Sequence, residues 1–80
     1  MSISEFELAV LPVGRMAEVV HVGTEGPIRN RLLDLGLVPS TVVEAVRKSP
    51  AGDPVAYKVR GAIIALRSEE SRQIMVRSIG

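Results

Sequence analysis

The sequence predicts a small, mainly β barrel of five or six strands, with one short helix between the second and third strands and a helical turn before the last. Three observations lead to this fold class. Most of the chain consists of strand-length segments in which apolar and polar residues alternate. One stretch alone, from Gly26 to Gly36, has helical spacing with a clear start and stop. The 80 residues make one domain over 1–80, and its short strands share one core most economically by curling into a barrel.

Two strands are predicted before the helix, over residues 4–11 and 15–22. The inner side chains of the first are Phe6, Leu8 and Val10. A type I turn follows it, with Pro12 at the second position and Gly14 at the fourth. One side of the second strand carries Ala17, Val19 and His21, and the other carries Met16, Glu18, Val20 and Val22.

The helix is predicted to begin at Pro27 and to end at Gly36. Proline suits the first helical position because its φ is already helical and its missing N–H would have no partner there. Gly36 can enter the left-handed region without steric cost, after which Leu37 can fold back onto Leu32 in a Schellman-type cap. Pro39 prevents continuation. The apolar face of this helix carries Ile28, Leu32 and Leu35.

Four strands are predicted after the helix, over residues 41–48, 55–59, 62–67 and 74–76. Residues 49–54 form a hairpin loop, Arg60 and Gly61 a tight turn, and Ser68 caps the helical turn before the last strand. In the strand 41–48, Val43 and Ala45 point one way and Val42 and Val46 the other. Val42 and Val46 either pack beneath the helix or form an interaction surface.

Composition excludes several function classes. The chain has no cysteine, so it has no disulfide framework, thiol nucleophile or Cys-based zinc site. Its apolar runs are far shorter than the roughly 20 residues that span a bilayer, and no signal peptide is recognisable, so we expect a cytoplasmic protein. A net charge of +1 and only two aromatic residues, Phe6 and Tyr57, argue against nucleic-acid binding.

No constellation of residues predicts catalysis or a cofactor. His21 is the only histidine, and a metal site would need carboxylate partners for it, so we assign no metal ligand and read it as a partly buried or rim residue. Glu5 with Glu7 and Glu69 with Glu70 fit a solvated strand face and a helix start. No serine lies in a nucleophile motif and no glycine-rich phosphate loop is present, so we expect no enzyme and no cofactor.

Four motifs resemble the FeoA family, small proteins encoded with the bacterial ferrous-iron transporter FeoB. They are L-x-x-L-x-x-G over residues 8–14, R-L-L-D-L-G-L-x-P over 31–39, G-D-P over 52–54 and I-x-V over 74–76. The resemblance covers nearly the whole chain. It implies an SH3-like barrel in the cytosol that contacts the cytosolic part of FeoB and supports or tunes iron uptake, reaching the membrane only through the transporter.

Two turns depart from the family pattern. Ser40 stands where the family usually has glycine after Pro39, so this turn either takes type I geometry or accepts strain. Pro12 lies one place earlier than the usual Pro-Gly. A similar domain forms the C-terminal module of DtxR-type repressors, but no DNA-binding helices precede it here, which favours the association with the transporter.

The helix and its exit are the predicted partner-binding surface, because they combine apolar and basic groups beside a rigid corner. The candidate residues are Arg29, Arg31, Leu32, Leu33 and Leu37. For the leucines the alternative is core packing. Arg47, Lys48, Arg60 and Arg67 form either a mild basic patch or ordinary protection of strand edges.

Alternative functions are a weak divalent-metal sensor that uses His21 with nearby carboxylates, and a stand-alone regulatory domain of a metal-dependent repressor. A homo-oligomer is a further possibility, since an exposed strand edge could pair with a second copy.

Overall fold

Six strands and two helices follow one another in the predicted order within residues 4–23 and 25–79, the part of the chain that the computed structural model describes. The strands are β1 Glu5–Glu7, β2 Met16–Val22, β3 Val42–Lys48, β4 Val55–Val59, β5 Ala62–Leu66 and β6 Ile74–Ile79. The helices are α1 Gly26–Asp34 and α2 Ser68–Ser71, and a 3₁₀ turn spans Leu8–Val10. The predicted domain over 1–80 also includes residues 1–3, 24 and 80, which lie outside the described residues.

Antiparallel pairing joins these strands into one sheet in the order β1-β6-β2-β3-β4-β5. The sheet wraps one core, because side chains of a strand alternate between its two faces and one face of each long strand is apolar. Tyr57 is the largest fully buried side chain, and with Val59 it confirms the alternation predicted for β4. The core consists of Leu8, Leu11, Ala17, Val19, Leu32, Leu37, Val43, Ala45, Tyr57, Val59, Leu66, Ile74 and Val76.

The predicted helix end is confirmed in detail. Gly36 has φ +97°, its N–H donates to the Leu33 carbonyl at 2.9 Å, and the Leu37 N–H donates to the Leu32 carbonyl at 3.1 Å. These two bonds define the Schellman motif. Leu32 and Leu37 are both fully buried, so the cap also fastens α1 to the core. Ile28, predicted on the same face, is instead 45% exposed, because only the second half of α1 reaches the core.

The first predicted strand is wrong in its second half. β1 ends at Glu7, and the Leu11 N–H then donates to the Leu8 carbonyl at 3.0 Å, which curls the chain into the 3₁₀ turn. Leu8 stays in the core, but Val10 is 62% exposed. The following turn is closed by the Arg15 N–H and the Pro12 carbonyl, so Pro12 is its first residue. Gly14 is therefore its third residue, with φ +90°, and this excludes the predicted type I geometry.

His21 does not share the buried side of β2. The register of β2 against β6 shifts between Val19 and His21, which marks a β-bulge at Val20. One extra residue reverses the alternation beyond it, so Val22 packs against the core and His21 is exposed. This outcome agrees with the reading of His21 as a rim residue rather than a partly buried one.

The helical turn before β6 is confirmed, but Ser68 is not its cap. The residue before α2 is Arg67, and the Ser68 N–H donates to Asp53 Oδ1 at 2.8 Å, so the capping carboxylate comes from the hairpin loop 49–54. Glu70 Oε1 accepts a hydrogen bond from the Arg67 N–H at 3.0 Å. The helix start is thus held by two acidic side chains, as its dipole favours.

Candidate protein-interaction surface

Two of the five predicted partner-binding residues belong to the core. Leu32 and Leu37 are 0% exposed, because the Schellman cap turns both side chains inward. Neither can touch a partner while the domain is folded. Their inclusion in a contact surface was therefore wrong, and the alternative of core packing is correct for both.

Arg29, Arg31 and Leu33 remain at the surface of α1. Arg29 is exposed and Leu33 is half-buried. The Arg31 guanidinium donates to Glu70 Oε2 on α2, and about half of the Arg31 side chain stays in contact with solvent. Arg29 and Leu33 lie on one face of the helix, and among the described residues Arg29 has no ion-pair partner, whereas the ion-paired Arg31 lies on another face, toward α2.

A groove of about 510 Å³ lies at the exit of α1, on the outer face of the sheet. We call it the sheet groove. Its apolar lining consists of Met16 on β2, Val42 on β3 and Pro39 in the turn between α1 and β3. Its charged lining consists of Glu44, Lys58 and Arg60.

The strand register places side chains from four strands in one row along the sheet groove. Met16 pairs with Glu44, Glu44 with Lys58, and Lys58 with Ile63, so four outward side chains form one row across β2, β3, β4 and β5. Met16 and Ile63 are exposed apolar side chains at the two ends of this row. Val42 lies beside it on β3 and is 45% exposed. Val46 is also exposed, so Val42 and Val46 are both surface residues, and the alternative that they pack beneath the helix is wrong.

The turn that walls the groove is a type II turn. The Thr41 N–H donates to the Val38 carbonyl at 3.1 Å, and Ser40, at the third position, has φ +76°. Type II geometry requires a positive φ at this position, which favours glycine. Of the two readings of Ser40, the strained one is therefore correct. The Ser40 N–H donates to the Val19 carbonyl at 2.8 Å, which fixes the turn against β2.

Arg60 connects the groove to the end of α1. Its turn with Gly61 has positive φ at both residues, 53° and 82°, as a two-residue hairpin of type I′ requires. The Arg60 side chain lies across Gly36, where an added Cβ would approach Arg60 Cδ to 3.3 Å. A cation near the C-terminal end of a helix is favoured by the helix dipole.

The four basic residues considered together in the sequence do not form one patch. Lys48 pairs with Val55, and Val55 with Leu66, so Lys48 and Arg67 lie at one end of the β3-β4-β5 hairpins. Arg60 lies at the opposite end, in the turn between β4 and β5. The positive charge at the groove therefore comes from Lys58 and Arg60.

Sequence reasoning missed the groove, although it contained a signal. Met16, Val42 and Ile63 occupy positions on the outer face of their strands, where polar residues are usual in a half-exposed antiparallel sheet.

Within residues 4–23 and 25–79, no three His, Cys, Asp or Glu side chains lie close enough to hold a metal ion. In the same part of the chain, none of the helices has the length and apolar character needed to cross a bilayer.

The chain matches the FeoA domain family over residues 6–78. It is 33% identical over 72 residues to an Fe(2+) transport protein A/Fe(2+) transporter FeoB fusion protein of Porphyromonas gingivalis. This match covers 90% of the chain and 8% of the fusion protein, so the chain corresponds to a small part of that relative.

Solved structures share the fold. The solution structure of the FeoA protein from Chlorobium tepidum is 35% identical with a TM-score of 0.87, covering 94% of this chain and 71% of that one. The Stenotrophomonas maltophilia FeoA, a prokaryotic SH3 domain protein crystallised with zinc, is 32% identical with a TM-score of 0.80, covering 89% and 88% of the two chains. The predicted SH3-like fold is thereby confirmed.

A manganese-dependent transcriptional repressor is 14% identical with a TM-score of 0.85, covering 99% of this chain and 44% of the repressor, which shows the fold alone. The family match spans nearly all of the chain, and the strand order, the helix position and the related FeoA structures agree with it. The chain therefore belongs to the FeoA domain family, whose members take part in ferrous iron transport.

Proposed function

We propose that this domain is a non-enzymatic protein-interaction module of bacterial ferrous iron uptake, which acts in the cytoplasm on a FeoB-type transporter and its G-domain. The observation that carries the proposal is the relative in which a region like this chain is fused to a FeoB transporter. Fusion of two domains in one relative indicates that they work together, and separate chains then need a contact surface.

The exposed part of α1 supplies a surface suited to this contact. Arg29, which has no ion-pair partner among the described residues, and the partly exposed Leu33 share one face of α1, and the Arg31 guanidinium is held by Glu70 on another face. Arginine is one of the residue types enriched among those that dominate the binding energy of an interface. The Schellman cap fixes the position of α1, so little order has to be gained on binding.

An NMR titration of the isotope-labelled domain with a purified FeoB-type G-domain tests this proposal, with and without a non-hydrolysable GTP analogue. We expect shifts that cluster at Arg29, Arg31 and Leu33. Leu33→Gln should leave the thermal unfolding temperature nearly unchanged and weaken binding by at least about fivefold, the factor that corresponds to about 1 kcal/mol at an interface.

Val10→Gln is the matched control, because it makes the same kind of change at an exposed apolar residue on the 3₁₀ turn, outside α1. It should bind the G-domain as the parent chain does. Equal weakening of G-domain binding by both variants would contradict the proposal that α1 contacts the G-domain. An NMR spectrum of the domain that the G-domain leaves unaltered, with and without the GTP analogue, would also contradict it.

A further inference from the structure

We propose that the sheet groove is a docking site for a short extended protein segment that carries aliphatic side chains and one carboxylate. The proposal concerns a surface separate from the exposed face of α1 and does not depend on which protein supplies the segment. It can therefore hold or fail independently of the partnership with the transporter.

The apolar lining sets the first requirement for the occupant. Met16 and Val42 are each nearly half exposed, at 47% and 45%, and Pro39 joins them along one wall. Aliphatic groups left in contact with water on one side of a concave surface favour an occupant that brings apolar side chains. A volume of about 510 Å³ is within the range of sites that hold small ligands or a few residues.

Charge sets the second requirement. Lys58 and Arg60 line the groove and form no ion pair with any described residue, whereas Glu44 is the only acidic residue that lines it. Two cations against one carboxylate give the groove a net positive charge. An occupant with a carboxylate complements this charge, and one with an added cation does not.

Fixed backbone suits the groove to binding. The type II turn at Ser40 and the type I′ turn at Arg60 both line the groove, and the Ser40 N–H holds the first turn against β2, which lowers the entropy cost of binding.

The test is a titration of the labelled domain with three capped peptides, acetyl-Leu-Glu-Val-Leu-amide and its versions with glutamine or lysine in place of glutamate. We expect the glutamate peptide to shift the amide signals of Val42, Lys58 and Gly61. The glutamine peptide should bind about two- to fivefold more weakly, as expected for loss of an exposed charge pair, and the lysine peptide more weakly still.

Two variants test whether the peptides bind in the sheet groove. Lys58→Gln should reduce the preference for the glutamate peptide over the glutamine peptide, whereas Lys48→Gln, at the far end of the β3-β4 hairpin, should not. Val42→Asp should abolish the shifts for all three peptides while the rest of the spectrum is retained.

Absence of shifts at millimolar concentrations of the glutamate peptide would overturn the proposal. Equal binding of all three peptides would overturn the carboxylate requirement and with it the proposed occupant. Shifts confined to α1 would also contradict it, since they would place the peptide on the other surface. A positive peptide titration with no G-domain binding would uphold the groove and refute the proposed transporter contact.

Discussion

Ser40 holds a backbone conformation that its side chain disfavours. Its φ of 76° lies in the left-handed region, where a Cβ costs about 1–2 kcal/mol, and the turn is held there by hydrogen bonds of Ser40 and Thr41. The residue is exposed, so its side chain is not needed for the core. The strained turn that walls the groove therefore lowers the free energy of unfolding.

Ser40→Gly should raise the free energy of unfolding by about 0.5–1 kcal/mol, which is the relief of strain less the extra entropy of glycine in the unfolded chain. Urea denaturation measures this change. Ser40→Ala is the control, because it keeps the Cβ and hence the strain, and it should be neutral. A gain of equal size in the alanine variant would contradict the backbone explanation.

Tyr57 is the one tyrosine of the chain and lies in the core with 1% exposure. Burial raises the pKa of its phenol, a side-chain hydrogen bond with Ser71 acts to lower that pKa, and the negative charge of Asp53 raises it further. The net effect is a pKa above the ordinary value. The neutral phenol is thus favoured in the folded protein more than in the unfolded chain.

Because the folded pKa lies above the unfolded one, the contribution of Tyr57 to stability is complete below about pH 10 and is lost as pH rises through the folded pKa. Unfolding curves should therefore show stability falling steeply in alkaline solution, and Tyr57→Phe should remove that part of the slope. Phenolate absorbance reports this residue alone. A midpoint at or below about pH 10 in the folded protein would contradict the prediction.

At the scale of elements, the two helices are linked through Glu70. Its carboxylate accepts from the Arg31 guanidinium on α1 and from the Arg67 N–H at the start of α2. One side chain therefore caps α2 and fixes the surface of α1. Since Arg31 is about half exposed, the ion pair itself is worth little in water.

Glu70→Gln should lower the free energy of unfolding by less than about 1 kcal/mol, and the loss should shrink at high salt, because an amide oxygen can still accept from Arg67 but no longer pairs with a cation. Denaturation at low and high salt measures this. Glu69→Gln is the matched control in the same helical turn, with the same dipole interaction but no ion pair to any residue that the structure describes. Equal losses in both variants would assign the effect to the dipole.

Across the whole molecule, the sequence predicted features that depend on neighbouring residues and missed those set by distant ones. The Schellman cap follows from Gly36 and Leu37 alone. The exposure of His21 depends on a bulge against β6, and the end of β1 depends on where the chain must turn toward β2. No local pattern contains either constraint.

The candidate site shows the same division. Arg29 and Arg31 are exposed, and their role in binding stays a prediction, whereas Leu32 and Leu37 were misplaced because a run of leucines does not show which of them the core buries. For the sheet groove the sequence holds only a partial signal, the apolar residues on outer strand faces, because Met16, Val42 and Lys58 come from three strands that only the sheet register brings together.

The pairing of β1 with β6 affects how the domain can be joined covalently to another polypeptide. Glu5 faces Arg77 on the adjacent antiparallel strand, so the chain enters and leaves the fold about 5 Å apart, on the same side. A domain with neighbouring ends can be joined to another polypeptide at either end, or inserted within one, by short linkers and without distortion. The fusion in the Porphyromonas gingivalis relative is one such covalent arrangement.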